Sequence, residues 1–569
     1  MLGLHIADVV TLILYLLGIT LIGIRSARLV KSMSDFFMPR RFGKRMLVMH
    51  SFATGTHSDQ GVSVASKAFT NGLSGIWYEW LWLFGTPFYW LIAPVMRRFR
   101  AFTTADVFEA RFNRSVAMLY AVIGMLNLMV TIGIMLKGSG AIIASAFGDN
   151  VSTEVAIAVM TVLFVIYGIA GGLSAAIITD FIQGILTVVF SFLLLPITLD
   201  SVGGVQGLHA PIANPDLFSI IAPYEIGLFY IIIIGLNGLI GIVTQPHIMG
   251  NCAAGRTEMD GRVGFTAGNF LKRFCTVAWT LIGFSAIAYY GNQEIDPDQI
   301  FGMMARDFLP AIMPGLLGIF LAGLLASLMS SCDSFMIASS ALFTENIYKP
   351  LRSGKDQRHY VTVGRIVSLF IVAGGMAFAF WLPGVVAGLE IFWKIAPMMG
   401  IAFWLGLFWR RTTVLGAWAA TLTGFFVWWL TEQQLVLNLL SEFPGADFLR
   451  LVISQVDGSL VIYLPWQMVF YLLAGLAMGV VVSLLTKPVD DQKLDRFYAL
   501  VRTPVLTDEG NPTLPCTLPA NATVPPKDKL FPSSKQLEIL KPSKVSIAGF
   551  LISCVAVIGL VAMFFAITQ

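Results

Sequence analysis

One apolar stretch carries a set of oxygens suited to a small cation. From Gly318 to Tyr348 the sequence reads GIFLAGLLASLMSSCDSFMIASSALFTENIY, with Ser327, Ser330, Ser331, Asp333 and Ser334 in its middle. The serines at 327, 330, 331 and 334 follow i, i+3, i+4 and i+7 spacing, which lines their hydroxyls along one helical face. Hard cations take oxygen ligands, and a polar stripe with a carboxylate at membrane depth is costly unless it faces a partner or a polar cavity. Helix–helix glue is the competing reading, because serine also sits at close helix crossings.

The elements that must position this stripe are membrane helices. The chain has 569 residues, of which 56% are hydrophobic and only 12% charged, with mean hydropathy +0.78. Soluble domains carry about 25% charged residues, so lipid is the main solvent here. Repeated apolar runs give about fourteen spans, the first at 5–25 and the last at 546–568. Basic residues follow alternate spans (Arg97 to Arg100, Arg256 and Arg262, Lys349 to Arg365, Arg410 and Arg411), whereas Glu294, Asp296 and Asp298 lie between others. The positive-inside rule then puts the basic loops in the cytoplasm and both termini outside. The first helix has no small-residue cleavage site and is expected to be retained. Cys252, Cys275, Cys332, Cys516 and Cys554 show neither paired nor metal-ligand spacing. No nucleotide loop, catalytic triad or metal-ligand cluster is present, so an ATP-driven pump and an enzyme are both unsupported.

Two spans read as broken. The one at 46–69 contains Ala53-Thr54-Gly55-Thr56-His57-Ser58-Asp59-Gln60, too polar for a helix facing lipid. The one at 225–250 contains Gly235-Leu236-Asn237-Gly238 and then Thr244-Gln245-Pro246-His247. Unwinding at such places exposes carbonyls and half-helix ends at the midplane. Counted from the second span, these are the first and sixth core helices, the correspondence that a five-plus-five inverted repeat requires. The expected division is an extra N-terminal helix and loop (1–45), a ten-helix core (46–411), two further helices (412–486), a flexible proline-rich linker (487–545) and a last transmembrane helix (546–569).

With Gly171-Gly172-Leu173-Ser174-Ala175-Ala176-Ile177-Ile178-Thr179-Asp180-Phe181-Ile182-Gln183, and with the opening stretch ending Phe343-Thr344-Glu345-Asn346-Ile347-Tyr348, the chain resembles the sodium/solute symporter family. That family includes sodium–glucose, sialic acid, proline and pantothenate carriers, and the likeness covers roughly residues 46 to 411. The linker and final helix are similar to the sodium–glucose branch, while Gln245-Pro246-His247-Ile248 is similar to the proline and short-carboxylate branches. An all-α, leucine-transporter-like membrane fold is implied.

The resemblance also implies sites. Its main sodium site would take backbone carbonyls of Ala53, Thr56 and Ser327 with the hydroxyls of Ser330 and Ser331. A second cation site would use Asp180 and Ser334, with Asp333 where a hydroxyl residue is expected. Two carboxylates there repel unless a cation or proton sits between them. Gln60, Glu79 and Lys272 match sugar-binding positions, and Asp59 joins them as a candidate substrate contact. Gly55 replaces an asparagine of the sugar branch, and Leu389 falls near its tenth-helix glutamine. Glu390 and Lys394 are spaced to pair along one helix. His57 and Lys67 are alternative anchors for a carboxylate, against the simpler reading that Lys67 snorkels to the interface.

These readings converge on a sodium-coupled symporter that imports a small polar solute, a sugar or polyol first and an amino acid or carboxylate second. The expected partners are sodium, the solute and the lipid of a bacterial inner membrane, with no nucleic acid and no obligate protein partner. A transporter-like solute sensor is the weaker alternative, because no signalling domain follows the spans.

Overall fold

In lipid an isolated backbone polar group has no water to pair with, so these apolar runs fold as helices. The computed structural model describes residues 4–27, 37–148, 150–168, 172–209, 211–212, 214–222, 226–291, 293–454, 458–506, 509 and 514–568. Gly171, which opens the quoted motif, lies outside them, as does much of the loop before residue 37. The longer helices are α1 (Ile6–Ala27), α2 (Lys44–Gly55), α3 (Ser58–Asn71), α4 (Thr86–Arg98), α5 (Arg114–Ala146), α6 (Thr153–Gly168), α7 (Gly172–Phe192), α8 (Leu228–Gly241) and α9 (Pro246–Ala253). They continue as α10 (Glu258–Tyr290), α11 (Ile300–Ile312), α12 (Leu316–Phe343), α13 (Gln357–Trp381), α14 (Val385–Phe408), α15 (Val414–Leu430), α16 (Leu464–Leu485), α17 (Asp491–Arg502) and α18 (Lys544–Thr568).

Among the described residues, nine helices are long and apolar enough to cross a membrane, or eleven if each sharply bent pair counts as one span. The expected fourteen are compatible with this. Several of the remaining spans fall on broken or short helices such as α2 with α3, α4 and α6. The fold is of the leucine-transporter type.

Both expected breaks are present. Helix α2 stops at Gly55, Thr56 and His57 are extended (φ −116°, ψ 91° and φ −92°, ψ 156°), and α3 starts at Ser58. The second break lies at Gln245, after which Pro246 opens α9 at an angle of 71° to the helical segment Leu228–Thr244. Proline suits a first helical position, where its missing N–H is not needed. Gly235 and Gly238, by contrast, remain inside α8. A Cβ at Gly238 would meet the Trp82 ring at 2.9 Å, so this glycine allows close packing rather than unwinding.

Helix α10 lies against both halves of the first broken span. A Cβ at Gly268 would come within 2.6 Å of the Val48 carbonyl, and one at Gly283 within 2.3 Å of the Ala65 carbonyl. Small residues at such crossings let membrane helices approach backbone to backbone.

The flexible linker expected at 487–545 is corrected for its described residues. Asp490 caps α17 through the Lys493 N–H at 3.1 Å, and α17 buries Leu494, Phe497 and Tyr498. Arg100 holds Glu509 through two charge-assisted bonds (2.5 and 2.8 Å), Arg410 holds Glu538 at 3.0 Å, and the Glu538 N–H donates to the Phe408 carbonyl at 2.9 Å. The segment therefore straps the helix ends. A two-stranded antiparallel hairpin, Val452–Ser454 with Leu460–Ile462, joins α15 and α16.

Candidate cation and solute sites

The serine stripe of α12 faces the first break and α7. Ser327 Oγ donates to the Thr56 carbonyl at 2.7 Å, while Ser331 Oγ reaches the Ala53 carbonyl at 3.2 Å and the Ser327 carbonyl at 3.1 Å. The Thr56 carbonyl lies just past the end of α2, where intrahelical donors run out, and the Ala53 carbonyl also accepts the Thr56 N–H at 3.3 Å. Thr56 Oγ1 is buried without a hydrogen-bond partner beside them. The donor set is hard, neutral and fully buried, and it fits a monovalent cation. Ala53, Thr56, Ser327 and Ser331 are thus brought together as expected. Ser330 differs, since its hydroxyl turns to Asp180 Oδ1 at 2.5 Å.

Asp180 on α7 is completely buried and collects donors from two other helices. Besides Ser330, its Oδ2 lies 2.5 Å from His50 Nδ1 and 3.4 Å from Thr54 Oγ1. Thr54 Oγ1 in turn lies 3.2 Å from Ser334 Oγ, which links the two expected members of the second site. Asp333 is buried as well, but among the described residues it makes no hydrogen bond or ion pair with Asp180, and its Oδ1 has no partner. Sequence reasoning missed His50 and Thr54 here. They are four apart on α2 and so share a face, the only local sign available.

A narrow cavity of about 40 Å3 opens on the other side of the break. Gln60, Glu79, Lys272, Asp59 and His57 all line it, together with Gly55 and Leu389. Trp82, Phe392 and Trp393 give it an aromatic wall. Glu79 is already committed: Lys272 Nζ and Arg273 Nη1 both lie 3.0 Å from its Oε2. Arg273 was not foreseen, although two adjacent cations in an apolar span are the kind of feature that marks a site. Gln60 spends its Oε1 on the His57 N–H at 3.1 Å, capping α3. Neither oxygen of Asp59 accepts a hydrogen bond, and the His57 imidazole Nδ1 lies 3.5 Å from its Oδ1.

Three residues singled out in the sequence make other contacts than expected. The Lys67 ammonium lies over the Tyr78 ring, 5.1 Å from its centroid, outside the cavity lining. Glu390 and Lys394 do not pair: Tyr78 donates to Glu390 at 3.1 Å, and Lys394 lies 3.5 Å from Glu432. Partners from other helices reach these groups and replace the i, i+4 contact. His247, quoted in the sequence without a role, lines the solute cavity and also a small space of about 30 Å3 that reaches Phe37 and Phe102. Phe335 stands between the two imidazoles, 4.7 Å from His247 and 5.3 Å from His57 (centroid distances).

Comparison with known proteins decides the family. The family model described as "Sodium:solute symporter family" matches residues 36–424. The chain belongs to the sodium:solute symporter family. Members of this family are sodium-coupled transporters, not enzymes. The osmoregulated proline transporter OpuE of Bacillus subtilis is 25% identical over 80% of this symporter and 94% of its own length. Sodium/glucose cotransporter 4 of Danio rerio is 24% identical over 87% of this chain and 81% of its own. A sodium-coupled sialic acid symporter, solved in a substrate-bound outward-open state, matches with a TM-score of 0.70 and 19% identity, covering 85% of this chain and 99% of that one. Sodium and a small solute are what this symporter family carries together.

Proposed function

We propose that this symporter uses sodium to import a small zwitterion of the amino-acid type by alternating access. The observation that carries this reading is the charge pattern of the solute cavity. Two cations, Lys272 and Arg273, share one oxygen of Glu79, while the Asp59 carboxylate lacks a hydrogen-bond donor. A buried carboxylate without donors is costly, and a buried ammonium keeps spare N–H groups when it has one acceptor. A solute with an ammonium at Asp59 and a carboxylate near Lys272 satisfies both ends. The proline transporters among the relatives support the same class.

Sodium would bind at the junction of α2 and α12, where Ala53, Thr56 and Ser327 offer carbonyls and Ser330 and Ser331 offer hydroxyls. Entry of the ion replaces hydroxyl-to-carbonyl hydrogen bonds with coordination, which orders the break between α2 and α3. Since Asp59 and Gln60 stand just after that break, the ion and the solute bias one element. Coupling is then a difference in affinity between two states. Asp180, Ser334 and Asp333 form the proposed second cation site, for sodium or a proton, with His50 and Thr54 beside it. The same reading takes the basic loops as facing the cytoplasm, and thiol labelling of Lys355→Cys from outside intact cells would overturn that orientation.

Competition in proteoliposomes tests the solute class. With an inward sodium gradient, unlabelled zwitterionic amino acids should inhibit uptake of a labelled one, and neutral hexoses should not. Asp59→Asn should raise the solute KM roughly tenfold or more, the scale of one lost charge-assisted contact. A sugar or polyol is the second reading, favoured by the meeting of Gln60, Glu79 and Lys272 in one cavity. Inhibition by hexoses, with uptake abolished in Glu79→Ala and retained in Asp59→Asn, would select it.

A further inference from the structure

A second recess shares no lining residue with the solute cavity. It has a volume of about 580 Å3 and is walled by the ends of α4, α10, α14 and α17, by residues 525–543 and by the start of α18. Small-molecule pockets run to roughly 300–1,000 Å3, so this space admits an organic ligand rather than isolated waters. Its walls are mostly apolar, and Phe88, Leu91 and Trp404 among them are exposed or part-exposed.

Cations collect at its rim. Arg98 is neutralised by Glu258, which it holds at 2.8 and 3.0 Å. Glu538 is likewise neutralised by Arg410 at 3.0 Å and Lys529 at 3.1 Å. Lys541 and Asp528 line the recess as well, and Arg262 and Arg502 have no ion pair among the described residues. Arg262 is 6% exposed, donates to Ser546 Oγ at 3.1 Å and lies over the Trp90 ring, with no carboxylate as a hydrogen-bond partner. Arg502 is 9% exposed, and its Nε and Nη1 find no acceptor among the described residues. A guanidinium buried with free donors calls for an anion, and its planar fork matches a phosphate.

We propose that this recess holds an anionic phospholipid, with its phosphate at Arg262 and Arg502 and its acyl chains along Phe88, Leu91 and Trp404. Basic pockets between membrane helices on the cytoplasmic side recognise lipid headgroups by this combination. The apolar walls argue against a free phosphate, which would leave them unfilled. Because the strap at 525–543 forms one wall, the lipid would tie that segment to α4 and α14.

Native mass spectrometry of the full-length protein, delipidated and then mixed with phosphatidylglycerol or phosphatidylcholine, tests the proposal. The wild type should retain one phosphatidylglycerol with about tenfold preference over phosphatidylcholine. R262Q/R502Q should lose that preference, and Arg502→Lys should keep much of it. Equal retention of the two lipids, or an unchanged preference in the double variant, would overturn the proposal. Thermal stabilisation by inorganic phosphate equal to that by phosphatidylglycerol would also overturn it, in favour of a free-anion site. Should the double variant fail to fold, photoactivatable phosphatidylglycerol on the wild type decides. Crosslinks concentrated in 88–98 and 525–546 support the site, and even labelling of all lipid-facing helices rejects it.

Discussion

Ser331 reaches the Ala53 and Ser327 carbonyls together, so its hydroxyl stands among the oxygens a sodium ion would take. Ser331→Ala should therefore raise the sodium concentration for half-maximal uptake, with about 1–3 kcal/mol of ion binding lost and folding intact. Unchanged sodium activation in a folded variant would remove Ser331 from the site. Asp333 is the odd member of the stripe, buried with an unpartnered oxygen. If it serves a second cation site with Asp180, Asp333→Ser should lower the charge moved per solute or shift the pH profile of uptake. A wild-type current-to-flux ratio and pH profile would leave it a structural residue. The serines were legible in the sequence because one helical period aligns them. His50 was not, because it meets Asp180 across 130 positions, and no local pattern encodes which imidazole reaches which carboxylate. The bond from Ser330 to Asp180, across 150 positions, was hidden for the same reason.

Among the elements, the two breaks were readable because polar residues, Gly and Pro interrupt apolar runs. Their centres needed the structure: Gly235 and Gly238 serve packing against neighbouring residues such as Trp82, while Gln245 carries the turn. The strap was read as flexible from its prolines and charges. What orders it are ion pairs to distant positions, above all Arg410 with Asp491, Asp495 and Glu538. Asp491 and Asp495 are 89% and 55% exposed and contribute little, whereas Glu538 is 1% exposed. Arg410→Ala should cost about 1–3 kcal/mol, moderated by Lys529 on the same carboxylate. Limited proteolysis should then cut within 503–543 faster than in wild type. An unchanged cleavage rate would show that apolar contacts of α17 suffice to hold the strap.

For the molecule as a whole, composition and hydropathy specified a helical membrane protein, and the two breaks pointed to its internal repeat. The solute class was harder to read, since Gln60, Glu79 and Lys272 match sugar positions in type while their pairing depends on Arg273, which lies beside Lys272 but acts through Glu79 on another element. Transport driven by sodium is the central claim. Purified protein in proteoliposomes, given an inward sodium gradient and a labelled zwitterionic amino acid, tests it most directly. The expected result is saturable accumulation above the external concentration that collapses when the sodium gradient is dissipated. Uptake of the same amino acids that is indifferent to sodium, or that never exceeds equilibration, would contradict it.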